Sequence, residues 1–292
     1  MISSTARGPA RSGLIALLGV AAVLIVAGCA APTGGSAATT TPTAEPTPVS
    51  EVVSVVAIGD SIPYNSPDDC PGCTGFVDSF GEALAQSAGE PVEAINRSRH
   101  DGARTADILD EVQSGSLDEV LGSADIVIVS AGYNDQPPYG DEGEACHAPQ
   151  LATEADAVAA VLATTPECIA TQTATTAVDL EGVLEGVRER APDASLLVLT
   201  AYDSWTGWSA LEAAGPDAAA GVSATIIAAL DAWRTAACAA AVAVDGQCVD
   251  LLAGFNGPDA TTPSGDLLAD DYTHPSQSGN DLIRDLLLTA EG

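Results

Sequence analysis

Apolar residues along the chain fall into two alternating patterns. Short continuous runs occupy 52–58, 92–95, 124–130, 196–201 and 247–251, and between them lie longer stretches with helical spacing. Runs rich in Val, Ile and Leu, without alternation, predict strands buried on both faces. Phe76, Phe80 and Leu84 fall four apart within 75–88, which predicts a helix there. Ile108, Leu109 and Val112 mark another over 105–112. Further helices are predicted over 176–190 and 222–242. The last covers 276–288, where Leu282, Ile283, Leu286 and Leu287 form one stripe. Strands separated by helices predict a three-layer α/β/α sandwich around a parallel sheet of about five strands.

The N-terminus departs from this pattern. Arg7 and Arg11 precede an apolar run from Gly13 to Ala27, which ends in Val26-Ala27-Gly28-Cys29. That is a positive region, a short apolar region and small residues before a cut. The run is short for a membrane span, which needs roughly 20 residues. Val-Ala-Gly-Cys resembles the lipobox of bacterial lipoprotein signals. The resemblance implies that residues 1–28 are removed and that Cys29 carries the lipid, palmitate included, as the new N-terminus. An uncleaved anchor or ordinary secretion are the alternatives, and all three place the folded part outside the cytoplasm. From Ala30 to Ser50 the chain is Ala, Thr, Pro, Gly and Ser with one Glu, so 29–50 is read as a disordered tether. The folded domain is then 51–292. Its stretch 136–175 is longer than the roughly 2–6 residues a βα connection uses. It carries Cys146, His147 and Cys168, and is read as a stapled insertion near the site.

Composition narrows the partners. With 46% hydrophobic residues the chain can bury one sizeable core. Asp+Glu number 41 against 9 basic residues, every one an Arg, for a net charge of −32. Such a surface excludes nucleic acid, which needs a basic footprint, and is repelled by anionic headgroups. Its plain role is to keep an Ala-rich protein soluble. Setting Cys29 aside from the 7 cysteines leaves an even number in an oxidising compartment. Neighbour pairing is attractive: Cys70 with Cys73, Cys146 with Cys168, and Cys238 with Cys248, each bracketing a loop or junction. Sequence alone does not choose among the connectivities. Cys70-Pro71-Gly72-Cys73 also has the spacing of a redox dithiol or half a zinc site. No second such motif exists, and this one does not open a helix of a thioredoxin-like unit, so a structural staple is favoured.

The chemistry collects in four loops. The first strand runs into Gly59-Asp60-Ser61, so Ser61 is presented past the carboxyl end of a strand, where open parallel sheets place their sites. A serine is a weak nucleophile unless a base adjoins it. After the second strand comes Asn96-Arg97-Ser98-Arg99-His100-Asp101-Gly102, and after the third Gly132-Tyr133-Asn134-Asp135. Asp271-Tyr272-Thr273-His274 precedes the last helix. All four would meet at one sheet edge. Together, in this order, they resemble the SGNH or GDSL-type serine hydrolases over nearly all of 51–292. Ile62 stands where that family often has Leu, and the second block is the loosest match. No Gly-x-Ser-x-Gly occurs, which argues against the α/β-hydrolase elbow.

The resemblance implies a flavodoxin-like fold and a serine esterase or lipase. Ser61 would be the nucleophile, His274 the base and Asp271 its orienting carboxylate, the roles such a trio plays chemically. The backbone N–H groups of Ser61 and Gly102 and the Asn134 amide would form the oxyanion hole. Plainer roles compete. Ser61 and Asn134-Asp135 also suit turns, His274 the start of a helix and Gly102 backbone freedom, while Asp270 adjoins Asp271. Asp60 and Asp135 are read as loop-shaping. His100 has no carboxylate at the spacing of Asp271 from His274. Trp205 and Trp208 either line an acyl or sugar pocket or cap the core. No H-E-x-x-H and no histidine and carboxylate cluster at ligand spacing occurs, so no metal or cofactor is expected. The function expected is an extracytoplasmic carboxylic-ester hydrolase acting on lipid, short-chain or O-acetylated glycan esters. A non-catalytic lipoprotein binding a glycan or lipid in the same cleft is the alternative. Its partners would be the ester and the membrane, with a monomer as default.

Overall fold

A computed structural model describes residues 52–139, 146 and 151–292. The leader at 1–28, Cys29, the tether to Ser50 and His147 lie outside the described residues. Five strands form: β1 Val53–Gly59, β2 Val92–Asn96, β3 Ile126–Ser130, β4 Ser195–Leu199 and β5 Gln247–Val249. All pair in parallel in the order β2-β1-β3-β4-β5. β3 is buried along its whole length, which is what its unbroken Ile-Val-Ile-Val run requires.

Ten α-helices occur among the described residues: α1 Ser61–Tyr64, α2 Phe76–Ala88, α3 Thr105–Ser114, α4 Asp118–Leu121, α5 Glu154–Ala163, α6 Pro166–Arg190, α7 Ser209–Ala214, α8 Pro216–Ala243, α9 Leu251–Asn256 and α10 Gln277–Glu291. α2 and α10 pack together, and α3, α6 and α8 pack in succession, so helices cover the sheet in two layers. Phe76 and Phe80 of α2 and Trp233 of α8 are fully buried. The chain leaves β1 for β2 at one edge, then returns past β1 to build β3, β4 and β5. The carboxyl ends of β1 and β3 therefore flank a topological switch point, where such sheets open a crevice.

Helix boundaries depart from the apolar pattern in instructive ways. α6 begins at Pro166, well before 176, with Thr165 Oγ1 accepting from the Cys168 N–H at 3.2 Å and Pro at the first position. Its threonines gave no apolar stripe, but Thr171 and Thr175 donate their hydroxyls to carbonyls one turn back. α8 likewise starts at Pro216 rather than 222, through an alanine run too uniform to show a face. α5, inside the 136–175 stretch, was not anticipated. Its signal was present in Thr153 and Asp156, whose side chains each accept the other's backbone N–H as a capping box. β5 stops at Val249, before 251, because Asp250 caps α9 through the Ala253 N–H. The three neighbour disulfides are all formed: Cys70–Cys73, Cys146–Cys168 and Cys238–Cys248.

Candidate active site

The site begins where β1 ends. Gly59 has φ +144°, and a Cβ there would lie 2.1 Å from the Ser130 carbonyl oxygen, so only glycine lets β1 turn this close to β3. Asp60 follows, fully buried, as the N-cap of α1. Its Oδ1 accepts from the Ile62 N–H at 3.0 Å and the Ser130 hydroxyl at 3.1 Å. Burial pushes this carboxyl up to about 7, against the pull of those two hydrogen bonds. Ser61 is thus the first residue of a short helix, not part of an open loop.

The histidine arrives on a tight hairpin. Leu268 bridges Pro275, and the Ala269 N–H donates to the His274 carbonyl at 2.8 Å. Tyr272 takes a left-handed φ of 58° between the acid and the ring. The Tyr202 hydroxyl pins the turn by donating to the Thr273 carbonyl at 2.7 Å. Asp271 Oδ1 accepts from the Thr273 and His274 backbone N–H groups, at 2.9 and 3.0 Å. Its Oδ2 lies 2.5 Å from His274 Nδ1, and His274 Nε2 lies 2.9 Å from Ser61 Oγ. A carboxylate facing Nδ1 assigns the proton there and leaves Nε2 to accept from the serine. Burial alone would raise Asp271, but hydrogen bonds from the ring and the two backbone N–H groups outweigh it and hold the carboxyl below its ordinary value. The carboxylate on the ring is that of Asp271, not of its neighbour Asp270.

The remaining blocks surround this chain of contacts. The Arg97 and Arg99 N–H groups donate to the carbonyls of Ala57 and Gly59, laying the second block along the carboxyl end of β1. Gly102, at φ +74°, closes that loop. Asn134 donates one amide hydrogen to the Ala103 carbonyl at 2.9 Å, which ties the third block to the second. Asp135 Oδ2 accepts from both the backbone and the hydroxyl of Thr105, at 3.0 and 2.8 Å. Asp60 and Asp135 therefore hold loops in place. Trp205 is buried in the core and with Trp208, Tyr139 and Tyr272 lines a cavity of about 100 Å³ against Asp271. Trp205 thus both packs into the core and lines this cavity.

Several residues gave no sequence signal. Asn280 on α10 is fully buried, accepts from the Phe76 N–H and donates to Asn65 Oδ1, joining the starts of α2 and α10 to the end of α1. Asp203 and Asn256 brace the Trp205 loop from within. Asp69 is the largest surprise. His100 has no carboxylate at triad spacing in the chain, yet its Nε2 lies 2.7 Å from Asp69 Oδ2, and the same oxygen lies 3.5 Å from His274 Nδ1.

A five-strand parallel α/β/α sandwich with serine, histidine and aspartate joined at its switch point defines the class as an SGNH-like hydrolase fold. The chain belongs to the GDSL-like Lipase/Acylhydrolase family, whose profile matches residues 57–282. It is accordingly a serine hydrolase of the esterase and lipase type. Solved structures that share the fold include the following three. A lipase from a goat rumen metagenome is similar with a TM-score of 0.59 and 16% identity, covering 82% of this chain and 97% of its own. An extracellular lipase from Streptomyces rimosus gives 0.54 and 20%, covering 82% and 100%. A phospholipase A1 from Streptomyces albidoflavus NA297 gives 0.52 and 22%, also covering 82% and 100%. No curated protein sequence matches the chain.

Proposed function

We propose that this hydrolase cleaves carboxylic esters with Ser61 as nucleophile, His274 as general base and Asp271 as the orienting carboxylate. The observation that carries the reading is the unbroken contact series from Ser61 Oγ through both ring nitrogens to Asp271. Ser61 Oγ attacks the acyl carbon as its proton passes to Nε2. The carbonyl oxygen becomes an oxyanion, and Asp271 stabilises the imidazolium. The oxyanion donors proposed are the Ser61 and Gly102 backbone N–H groups and the second amide hydrogen of Asn134. Ser61 opens α1, so its N–H has no carbonyl one turn earlier to serve. Collapse breaks the bond to the leaving alcohol, which takes the ring proton. Water then repeats the sequence on the acyl-enzyme and frees the acid.

The substrates proposed are acyl esters: lipid, short-chain or O-acetylated glycan. The aromatic cavity beside Asp271 suits an apolar or sugar ring face. Release of p-nitrophenol from acetyl through palmitoyl esters, with Ser61→Ala as control, tests the reading. Activity that vanishes in the variant supports it, and undiminished activity there sinks it. A wild-type protein that neither hydrolyses any ester nor takes a fluorophosphonate label would instead fit the glycan- or lipid-binding alternative. The location proposed is extracytoplasmic, with 1–28 as signal, 29–50 as tether and 51–292 as the domain. Three disulfides fit an oxidising compartment. Cys29→Ser should move the protein from the membrane fraction to the medium, and retention of the variant on membranes would overturn the lipid anchor.

A further inference from the structure

Asp69 Oδ2, His100 Nε2 and His274 Nδ1 all lie within 4.8 Å of one another, drawn from three separate loops. We infer that these three residues form a binding site for a zinc-type divalent ion, and that filling it switches the hydrolase off. The inference rests on the reading of His274 as the general base.

The donor set supports it first. Two imidazole nitrogens and a carboxylate oxygen match what zinc takes from protein side chains, and imidazole suits zinc and the later transition metals where calcium and magnesium take oxygen ligands. A fourth donor is at hand, because Asp271 Oδ2 already contacts His274 Nδ1 at 2.5 Å. Tetrahedral zinc with ligands at about 2.0–2.1 Å keeps its donors about 3.3 Å apart. The present separations of 2.7 Å for Asp69 to His100 and 3.5 Å for Asp69 to His274 straddle that value. Side-chain shifts of about an ångström would seat the ion.

The surroundings hold the donors ready. The Cys70–Cys73 disulfide closes the loop immediately after Asp69, and the Asp69 N–H donates to the Ser66 carbonyl at 3.1 Å. Tyr64 stacks on His100, with ring centroids 5.1 Å apart. His100 retains 38% of its side-chain exposure, which leaves an ion a way in from solvent.

Inhibition follows from the tautomer. In the resting arrangement Nδ1 carries the ring proton and Nε2 offers its lone pair to Ser61. An ion on Nδ1 takes the lone pair that held this proton, and the displaced proton is taken up at Nε2 by exchange through solvent, so the ring switches tautomer. The neutral ring then carries its one N–H proton on Nε2, and a protonated Nε2 cannot accept the serine proton. The site and the triad thus compete for one nitrogen.

The test uses chelator-treated protein and zinc alone, reading binding by calorimetry and ester hydrolysis in parallel. One ion per chain is expected, with inhibition at the concentration that fills the site and full recovery on adding EDTA. His100→Ala and Asp69→Asn should each weaken both binding and inhibition by tenfold or more, scored against the variant's own rate. His100→Gln serves if the alanine variant fails to fold by circular dichroism. Ser61→Ala should keep zinc binding intact, which separates the two readings: loss of hydrolysis concerns the triad, loss of zinc concerns the site. Absence of binding at millimolar zinc, binding unchanged in both site variants, or a filled site with undiminished hydrolysis would each overturn the inference.

Discussion

Asp60 and Ser61 are neighbours with different surroundings: Asp60 is fully buried and caps the turn, whereas Ser61 Oγ lies within hydrogen-bond reach of His274. Asn134 offers the sharpest test of the proposed oxyanion hole. Asn134→Ala should lower kcat by about 10²–10³ while leaving KM within a few-fold, the usual cost of one such donor. An unchanged kcat in steady-state assays would remove Asn134 from the mechanism. Asp60 makes a prediction about pH. Its folded value of about 7 lies above the ordinary 3.8, so the folded state holds this proton longer than the unfolded chain does. Its burial therefore costs nothing below about pH 4, costs progressively more as pH rises, and levels off near pH 7. The full cost is at most about 4 kcal/mol. Asp60→Asn should flatten that decline in urea denaturation series, and a parallel slope in variant and wild type would contradict it. Ser61, His274 and Asp271 were legible as candidates because each sits in a short motif of recognisable composition. Asp69 and Asn280 were not, since nothing beside them in the chain marks what they touch.

Among the elements, strands were easier to read than helices. β1, β3 and β4 are buried on both faces and so had to be continuous apolar runs. The helices carry only one buried stripe, and α6 and α8 extend beyond it through Thr- and Ala-rich turns that packing and caps support. Where a cap replaces a stripe, as Thr153 and Asp156 do for α5, the information is local but easily overlooked. Contacts between elements were invisible. Asn280→Ala would strand the Phe76 N–H of α2 and the partners it serves at the end of α1. A loss of about 2 kcal/mol or more in urea denaturation is expected, since buried unpaired groups cost about 1–3 kcal/mol each. A change under about 0.5 kcal/mol would show that water replaces the bonds.

At the scale of the whole molecule, charge dominates. A net −32 on 292 residues makes the compact state repel itself, and salt screens that repulsion. The melting temperature should therefore rise between about 10 and 200 mM sodium chloride, over a range where the Debye length shrinks from about 30 Å to under 10 Å. A flat or falling melting temperature in scanning calorimetry would mean that local pairs, such as Arg190 with Asp118, already offset the excess.

Sequence by itself determined the layer architecture, the strand cores and the four chemistry-bearing loops, and it favoured the neighbour disulfides without choosing them. Each of these depends on residues close in the chain or on periodicity, which a linear pattern records. Only the tertiary structure decided strand order, the contact of Ser61 with His274, the bracing by Asn280 and the meeting of Asp69, His100 and His274. Those depend on distances in space between positions far apart in the chain. A parallel sheet brings the ends of separate strands to one edge, and no local spacing encodes which side chains then meet.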